Sequence, residues 1–232
     1  MQNTIIEQAP QIIPVLIDPK GFLIQTALTI VAFLALMVAL FQELIKEKLN
    51  KSKIYIEIRL VPPDCHQIDL TNTQTGQFVS KCIYIRIRAT NVSKSKMAKN
   101  IEIITSNLWK ISGKKKTVVK SFLPMNLIWA HTHPITITIP PKSFRLCDLG
   151  SFRPLNNKNT FFRFNTIVQP NPVSGGKIPN VIESGEYELE TIVSGENVTP
   201  EIVHWQIKFE EDWSDNEDRM LKNISIKRVN YD

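Results

Sequence analysis

Cysteine and glycine are both scarce in this sequence. Its 232 residues include three cysteines and eight glycines. An odd number of cysteines (Cys65, Cys82 and Cys147) at irregular spacing does not make a disulfide framework, which favours a reducing compartment. Hydrophobic residues make up 43% of the chain, which excludes a disordered protein. The sequence is therefore expected to fold without disulfide bonds.

Sequence motifs of the common catalytic sites are missing as well. The chain has no glycine-rich phosphate loop, no G-x-S-x-G turn, no H-E-x-x-H and no C-x-x-C. Because the residues of a catalytic triad need not be close in sequence, this absence lowers the expectation of an enzyme without excluding one. We expect neither an enzyme nor a bound cofactor.

Much of the apolar content lies in one segment near the N-terminus. Residues 21–42 read GFLIQTALTIVAFLALMVALFQ and carry no charge. Since twenty helical residues extend about 30 Å, the thickness of a bilayer core, the pattern predicts one transmembrane helix. A cleaved signal peptide would have a basic N-terminal region, but residues 1–20 contain Glu7, Asp18 and a single Lys20. A buried core helix is the other alternative, and it would need a large protein around it.

The charges on either side of this segment predict its orientation. One basic residue, Lys20, precedes it, whereas five follow within twenty residues: Lys46, Lys48, Lys51, Lys53 and Arg59. An excess of lysine and arginine marks the cytoplasmic side of a membrane. Residues 1–20 are thus predicted to be a short extracytoplasmic N-terminus of a cell-membrane protein, with everything after residue 42 in the cytoplasm. The N-x-S/T sequences at Asn91, Asn197 and Asn223 are then chance occurrences.

The helix is expected to continue beyond the bilayer, so that residues 21–50 form a transmembrane helix with a juxtamembrane extension. Residues 42–50 (QELIKEKLN) are strong helix formers without a breaker. Two interpretations of the basic residues here remain open. They either contact anionic lipid head groups or form an ordinary solvated flank; the lysines concerned are Lys46, Lys48, Lys51 and Lys53.

From residue 53 onward the hydrophobic period becomes that of a strand. Residues 53–60 (KIYIEIRL) and 82–89 (CIYIRIRA) alternate apolar and polar side chains. Seven more segments follow the strand pattern: 100–105, 117–123, 134–139, 144–149, 160–168, 186–193 and 202–209. Nine short strands without a convincing helix predict an antiparallel, immunoglobulin-like β-sandwich over residues 52–232. The predicted fold class is all-β, preceded by one N-terminal transmembrane α-helix.

One part of the strand region is expected to be irregular. Residues 151–184 are rich in Asn, Pro and Gly, notably QPNPVSGG at 169–176. This composition predicts an elaborated loop interrupted by one strand. A second small domain that starts there is the alternative.

Several segments of this region follow a recurrent prokaryotic pattern. In it, a strand with alternating basic residues ends in an Asn-containing turn, and an A-x-N-(I/V) strand follows. The matching segments are 84–93, 98–103, 127–129, 137–141, 147–149 and 185–189. Over about residues 53–210 the chain thus resembles uncharacterised bacterial and archaeal membrane-anchored proteins with an immunoglobulin-like β-sandwich. The resemblance implies the fold and brings no assigned activity with it.

A metal site can be proposed from two of the four histidines. Trp129, His131 and His133 are spaced by two, so on a strand they would project from one face. Two imidazoles at this spacing can bind zinc or copper, with Asp148 or Cys147 as further ligands. No third ligand is fixed by spacing and Pro134 ends the run, so a solvent-facing turn is the alternative.

Two other candidate sites are weaker. Cys65 and His66 are adjacent, and neighbours on an extended chain point apart, which is poor geometry for a nucleophile and its base. Residues 210–219 hold six carboxylates, which could bind a cation. No glycine falls where the EF-hand loop turns, so we expect a solvated acidic loop.

Two lysine clusters and a net charge of +6 suit anionic partners. Lys94, Lys96 and Lys99 form the first cluster, and Lys110 with residues 114–116 forms the second. The clusters flank one strand of about ten residues, which would place them roughly 30 Å apart at opposite ends of the sandwich. Since no aromatic residues interleave with them in the way that stacks bases, no nucleic-acid partner is expected.

Two functional hypotheses follow from these observations. The first is a single-pass membrane-tethered binding or scaffold module, with the lipid bilayer and a protein as its partners, that uses a sheet edge or loop end for binding. The second is a metal-binding or enzymatic β-domain with a site near Trp129, His131, His133 and Asp148. Zinc or copper bound to the purified protein would distinguish the second from the first.

Overall fold

The computed structural model describes residues 19–72, 74–130, 134–155, 159–166 and 180–229, without the side chains of 19, 43–45 and 47–49. These ranges contain two helices and fourteen strands. Contacts between Cα atoms divide the chain into two compact units, Met1–Leu49 and Asn50–Asp232.

The first unit contains one long helix, α1 (Pro19–Asn50). Its segment Lys20–Gln42 has a mean hydropathy of 2.4, and none of it is buried within the protein. Apolar side chains point outward in every direction; Phe22, for example, is 60% exposed and Leu28 is 65% exposed. A helix of this length and composition can cross a bilayer.

Two polar side chains within α1 are satisfied by the helix itself. The Thr26 hydroxyl donates to the carbonyl of Phe22, and the Thr29 hydroxyl donates to the carbonyl of Gln25, both at 2.8 Å. A hydroxyl that bonds to the preceding turn leaves no unsatisfied polar group in an apolar environment. These two residues are therefore compatible with a membrane span.

The second unit consists of two antiparallel sheets of seven strands each. Sheet I contains β1 (Ile54–Ile58), β2 (Cys65–Thr71), β3 (Phe78–Asn91), β7 (Ile128–Trp129), β9 (Phe144–Leu155), β10 (Asn159–Phe164) and β11 (Val181–Glu183). Sheet II contains β4 (Ala98–Ser112), β5 (Lys115–Val118), β6 (Met125–Asn126), β8 (Ile137–Ile139), β12 (Gly185–Gly195), β13 (Val198–Phe209) and β14 (Ile224–Val229).

The strand orders differ from the order in the chain. Sheet I runs β1-β3-β9-β10-β11, with β2 also beside β3 and β7 also beside β9. Sheet II runs β14-β13-β12-β4-β5, with β6 and β8 also beside β4. The long strands β3, β4, β9, β12 and β13 thus form the middle of the two sheets and hold most of the cross-strand pairs.

One hydrophobic core joins the inward faces of both sheets. The Phe152 ring of sheet I lies 5.0 Å from the Phe209 ring of sheet II, centre to centre, in an edge-to-face arrangement. The predicted alternation decides which residues enter this core. Ile54 and Ile56 of β1 are buried, as are Ile83, Ile85 and Ile87 of β3.

The predicted fold class is confirmed: the chain is all-β behind one apolar N-terminal helix, and its strands form two antiparallel sheets. The expectation of no helix after residue 50 was wrong, because α2 (Glu217–Lys222) follows β13. The side chain of Asn216 accepts a hydrogen bond from the Arg219 amide and caps this helix. Met220 anchors it by entering the core.

The residues expected to form an irregular loop contain more regular structure than predicted. β9 continues to Leu155, β10 follows it directly in the same sheet, and β11 lies within the range as well. Cross-strand pairs such as Phe162 with Phe152 place aromatic side chains in the core, and their burial outweighs the turn-forming composition nearby. Residues 167–179, with most of the predicted turn signals, lie outside the described residues.

Candidate functional site

The residues proposed for a metal site do not converge where the structure describes them. His131 and His133 lie outside the described residues. Asp148 is 8% exposed and both of its oxygens are engaged: Oδ1 accepts from Arg86 Nε at 2.9 Å, and Oδ2 accepts from Asn165 Nδ2 at 3.3 Å. A carboxylate held in this way serves a structural ion pair.

Trp129 and Asp148 belong to opposite faces of sheet I. Trp129 pairs with Cys147, whereas Asp148 pairs with the preceding residue, Ile128. Trp129 and Cys147 are fully buried, and the indole nitrogen of Trp129 donates to the carbonyl of Ile135 at 3.1 Å. Among the described residues, no three His, Cys, Asp or Glu side chains are grouped to hold a metal ion. The metal hypothesis stays a prediction that depends on His131 and His133.

The three thiols are buried and unpaired with one another. Burial, together with the nearby carboxylates of Glu217 and Asp64, raises the pKa of Cys65 to about 12. Burial also raises the pKa of Cys82 to about 11 and the pKa of Cys147 well above its ordinary value. Because the thiolate is the nucleophile, none of the three is activated for catalysis. Cys65 and His66 stand as neighbours on β2, which places their side chains on opposite faces.

The lysines proposed to contact lipid lie around the end of α1. Lys46 is exposed on the helix, and Lys51 and Lys53 are exposed just beyond it. The side chain of Lys48 is outside the described part of the chain.

The two lysine clusters lie at opposite ends of β4, in agreement with the sequence-based expectation. Lys94 and Lys96 precede this strand and Lys99 is its second residue, whereas Lys110 is near its far end. Residues 114–116 form the turn and the start of β5. Lys116 is not simply solvated, since its Nζ lies 2.6 Å from Glu188 Oε1 and 4.1 Å from the centre of the Trp109 ring.

Sequence reasoning missed a charged cluster on the outer face of sheet II. Its centre is the buried carboxylate of Glu188, which contacts Lys116 at 2.6 Å and His204 Nδ1 at 2.9 Å. The His204 ring also stacks on Trp109, with 6.1 Å between ring centres. Three strands thus hold one cation, one imidazole and one carboxylate in fixed positions.

A second carboxylate, Glu190, extends this cluster. Its oxygens accept hydrogen bonds from Ser106 at 2.6 Å and from Asn107 at 2.7 Å, and Oε2 lies 3.5 Å from His204 Nε2. Partial burial alone would raise the pKa of Glu190, but these hydrogen bonds and the nearby positive charges outweigh it and lower that pKa. Glu190 is therefore ionised at neutral pH and held in place by these hydrogen bonds.

An apolar row lies beside this cluster on the same face. Ile192 pairs with Ile104 on one side and with Ile202 on the other, so all three side chains project outward together. Ile202 is 58% exposed, and the other two are half-buried. One sequence pattern could have indicated this outer face. Along β12 the outward positions are Glu186, Glu188 and Glu190, and then Ile192.

Sheet I carries a different network, centred on Asp64. This carboxylate is fully buried and accepts hydrogen bonds from Arg88, through two nitrogens, and from Arg59 Nε at 2.8 Å. Burial alone would raise the pKa of Asp64, but the two guanidinium groups outweigh it and hold that pKa below its ordinary value. Every oxygen is taken by a cation of the same chain, so the network stabilises the fold.

Two of the N-x-S/T asparagines, Asn91 and Asn197, have structural roles. Asn91 is fully buried, and its Nδ2 donates to the carbonyls of Lys96 at 2.7 Å and Ile139 at 2.9 Å. Asn197 Nδ2 donates to the carbonyl of Met97 at 2.8 Å. Since Nδ2 is the atom that would carry a glycan, modification of either residue would break these hydrogen bonds.

Comparisons with known proteins found no match for this chain. No family model, no curated protein and no solved structure matches the chain.

Proposed function

We propose that this protein is a single-pass membrane-tethered binding module whose β unit holds a protein partner at the cytoplasmic face of the cell membrane. An immunoglobulin-like arrangement of the strands is part of this proposal. The observation that carries it is the outer face of sheet II, where the Ile104–Ile192–Ile202 row lies beside the Glu188–His204 cluster. An apolar centre with ordered polar groups at its rim is the usual composition of a protein interface.

The anchor of the module is the segment Lys20–Gln42 of α1. None of the described residues buries its apolar side chains, and a bilayer is the environment in which such a helix is stable. The excess of basic residues after this segment supports the cytoplasmic placement of the β unit. The free thiols and the hydrogen-bonded Asn91 and Asn197 agree with a compartment that forms no disulfides and adds no glycans.

The rigidity of the outer face suits binding. Glu190 is fixed by Ser106 and Asn107, and Glu188 by Lys116 and His204, so little side-chain freedom is left to lose when a partner arrives. Lower ordering cost raises affinity for the same contacts. The Ile202 side chain supplies exposed apolar area that association can bury.

Site-specific photocrosslinking in native membranes tests this proposal. A photoreactive residue at Ile202 is expected to form a discrete adduct with one protein. The control is Val79 of sheet I, because its exposure of 62% matches the 58% of Ile202. Adducts from Ile202 and none from Val79 would support the assigned face.

The same experiment can contradict the proposal. If Ile202 forms no protein adduct, or if both positions give the same set of adducts, sheet II is not the binding face. A further variant, Ile202→Lys, places a charge in the apolar row without touching the core and should abolish the adducts from a probe at Ile104.

A further inference from the structure

The end of the β unit at which the chain enters from α1 is strongly basic. Ser52 is held there by a hydrogen bond from its amide to the carbonyl of Asn197 at 2.7 Å and from its hydroxyl to the carbonyl of Met97 at 2.9 Å. The Lys53 amide donates to Ser93 Oγ at 2.8 Å. The turn before β4, with its lysine cluster, is therefore fixed directly beside the start of the β unit.

The turn between β8 and β9 belongs to the same end. The Lys142 amide donates to the carbonyl of Asn91 at 2.9 Å, and the side chain of Asn91 donates to the carbonyl of Lys96. We call this end the basic end; its lysines are Lys51, Lys53, Lys94, Lys96, Lys99 and Lys142. All of them except the half-exposed Lys96 are exposed.

The carboxylates near these lysines do not cancel their charge. Glu196 accepts a hydrogen bond from Asn100 at 3.1 Å, and Glu201 forms an ion pair with Arg228. Glu201 is thus already paired with an arginine, and the described side chains at this end include six lysines. The basic end thus keeps a clear excess of positive charge.

Exposed apolar side chains stand among the lysines. Val92 is 48% exposed, Met97 is 49% exposed and Phe144 is 42% exposed. Val92 and Met97 lie in the turn from β3 to β4, and Phe144 begins β9. Basic residues that attract anionic head groups, together with apolar residues that enter the interface, are the composition of membrane-binding surfaces.

The chain between the apolar segment and the basic end is short. From Gln42 to Asn50 the helix advances about 12 Å. The head-group layer takes up about half of that distance. The chain therefore enters the β unit within roughly one Debye length of the head groups. At this distance, salt at physiological concentration screens the attraction between the lysines and anionic lipid only in part.

We infer that the basic end binds the anionic lipid surface of the membrane in which α1 is anchored, with Met97 and Val92 at head-group depth. This inference rests on the proposed anchor and adds a second, electrostatic contact to it. Such a contact limits the orientations that the β unit can take at the membrane surface. Each lysine near the surface is expected to raise the affinity for anionic lipid about five-fold.

Fluorescence of the full-length protein in lipid nanodiscs tests the inference. The introduced thiol of a Met97→Cys variant is labelled with an environment-sensitive dye; the native thiols are buried and do not compete. Discs rich in phosphatidylserine are compared with discs of phosphatidylcholine alone. The rate of quenching by a water-soluble quencher is expected to fall roughly five-fold or more in the anionic discs.

Two control positions make the result specific. A Val79→Cys label lies at the opposite end of β3, about 40 Å away, and should be quenched equally in both kinds of disc. An Ala35→Cys label should be quenched by a lipid with a spin label in its acyl chain. If the Ala35 label is instead open to water, the proposed anchor fails, and the inference is overturned together with it.

Charge-reversal variants distinguish lipid binding by the basic end from attraction that depends only on the net charge. Reversal of the first cluster (Lys94→Glu, Lys96→Glu and Lys99→Glu) should restore quenching of the Met97 label. Reversal of three lysines at the far end of β4 (Lys110→Glu, Lys114→Glu and Lys115→Glu) changes the net charge equally and should leave protection intact. Equal protection of the Met97 label in both kinds of disc, or equal effects of the two reversals, would overturn the inference.

Discussion

At the scale of single residues, the charge of Asp64 is the feature with the clearest consequence for stability. Its carboxylate is fully buried between Arg88 and Arg59, and its pKa is lowered. A lowered pKa in the folded state means that the ion pair contributes its full stability above the ordinary carboxyl pKa, about 4, and loses it as the pH falls below that value.

The Asp64→Asn variant is expected to lower the free energy of unfolding by about 3–5 kcal/mol at neutral pH, because Arg88 keeps a buried charge without its partner. The difference from the original protein should shrink as the pH falls below about 4. Thermal unfolding followed by tryptophan fluorescence measures this difference. The signal reports on the β unit, since all four tryptophans lie beyond residue 100. Asp69→Asn, an exposed carboxylate on β2, is the control. A difference that stays constant between neutral and acid pH would contradict the assigned pKa direction.

Residue patterns predicted the inward positions well and the charged clusters poorly. The alternating isoleucines of β1 and β3 could be placed in the core because a strand's side chains alternate whatever its neighbours are. The Glu188–His204 contact depends on the register between β12 and β13, and the Ser106–Glu190 contact joins residues 84 positions apart. Registers of this kind are set by the packing of the whole sheet, and no local pattern encodes them.

At the scale of elements, the close packing of β9 against β10 explains one glycine of the sequence. A Cβ atom at Gly150 would lie 2.3 Å from the Arg163 carbonyl oxygen and 2.6 Å from the Phe162 ring. Neither a paired backbone nor a ring fixed in the core can yield that much space. Gly113, in the turn from β4 to β5, has a φ of +61° but open space around it.

These two glycines make a matched pair of tests. Gly150→Ala is expected to lower the free energy of unfolding by about 3 kcal/mol through overpacking. Gly113→Ala should cost about 1 kcal/mol, because backbone strain is its sole effect. Thermal unfolding followed by tryptophan fluorescence compares them directly. If Gly150→Ala were as stable as Gly113→Ala, the packing described for β9 and β10 would be wrong.

Elements that the sequence did not predict share a physical reason. β2 (CHQIDLT) mixes polar and apolar residues without strict alternation, and most of its side chains are only half-buried beside β3. α2 begins inside the acidic stretch 210–219 and β14 follows it; the composition of this stretch is typical of loops, yet Met220, Ile224 and Ile226 enter the core. Burial of a few side chains by tertiary contacts overrides a weak local preference.

At the scale of the whole molecule, the protein combines two parts that suit different solvents. Residues 20–42 suit a bilayer, and the β unit has a core of its own and a polar exterior. The proposed function needs both parts, since a partner held by sheet II would be confined to the membrane by α1. Confinement to a surface raises the effective concentration of the module for any partner that lies there.

Extraction of native membranes with alkaline carbonate tests the central claim, that Lys20–Gln42 anchors the protein in the bilayer. The full-length protein should stay in the membrane pellet, and a variant that lacks residues 22–41 should be released. Tryptophan fluorescence of the released variant should match that of the original, which would show that its β unit is folded. If the deletion variant remains in the carbonate-washed pellet, or if the full-length protein is released, the claim of a single transmembrane anchor is wrong.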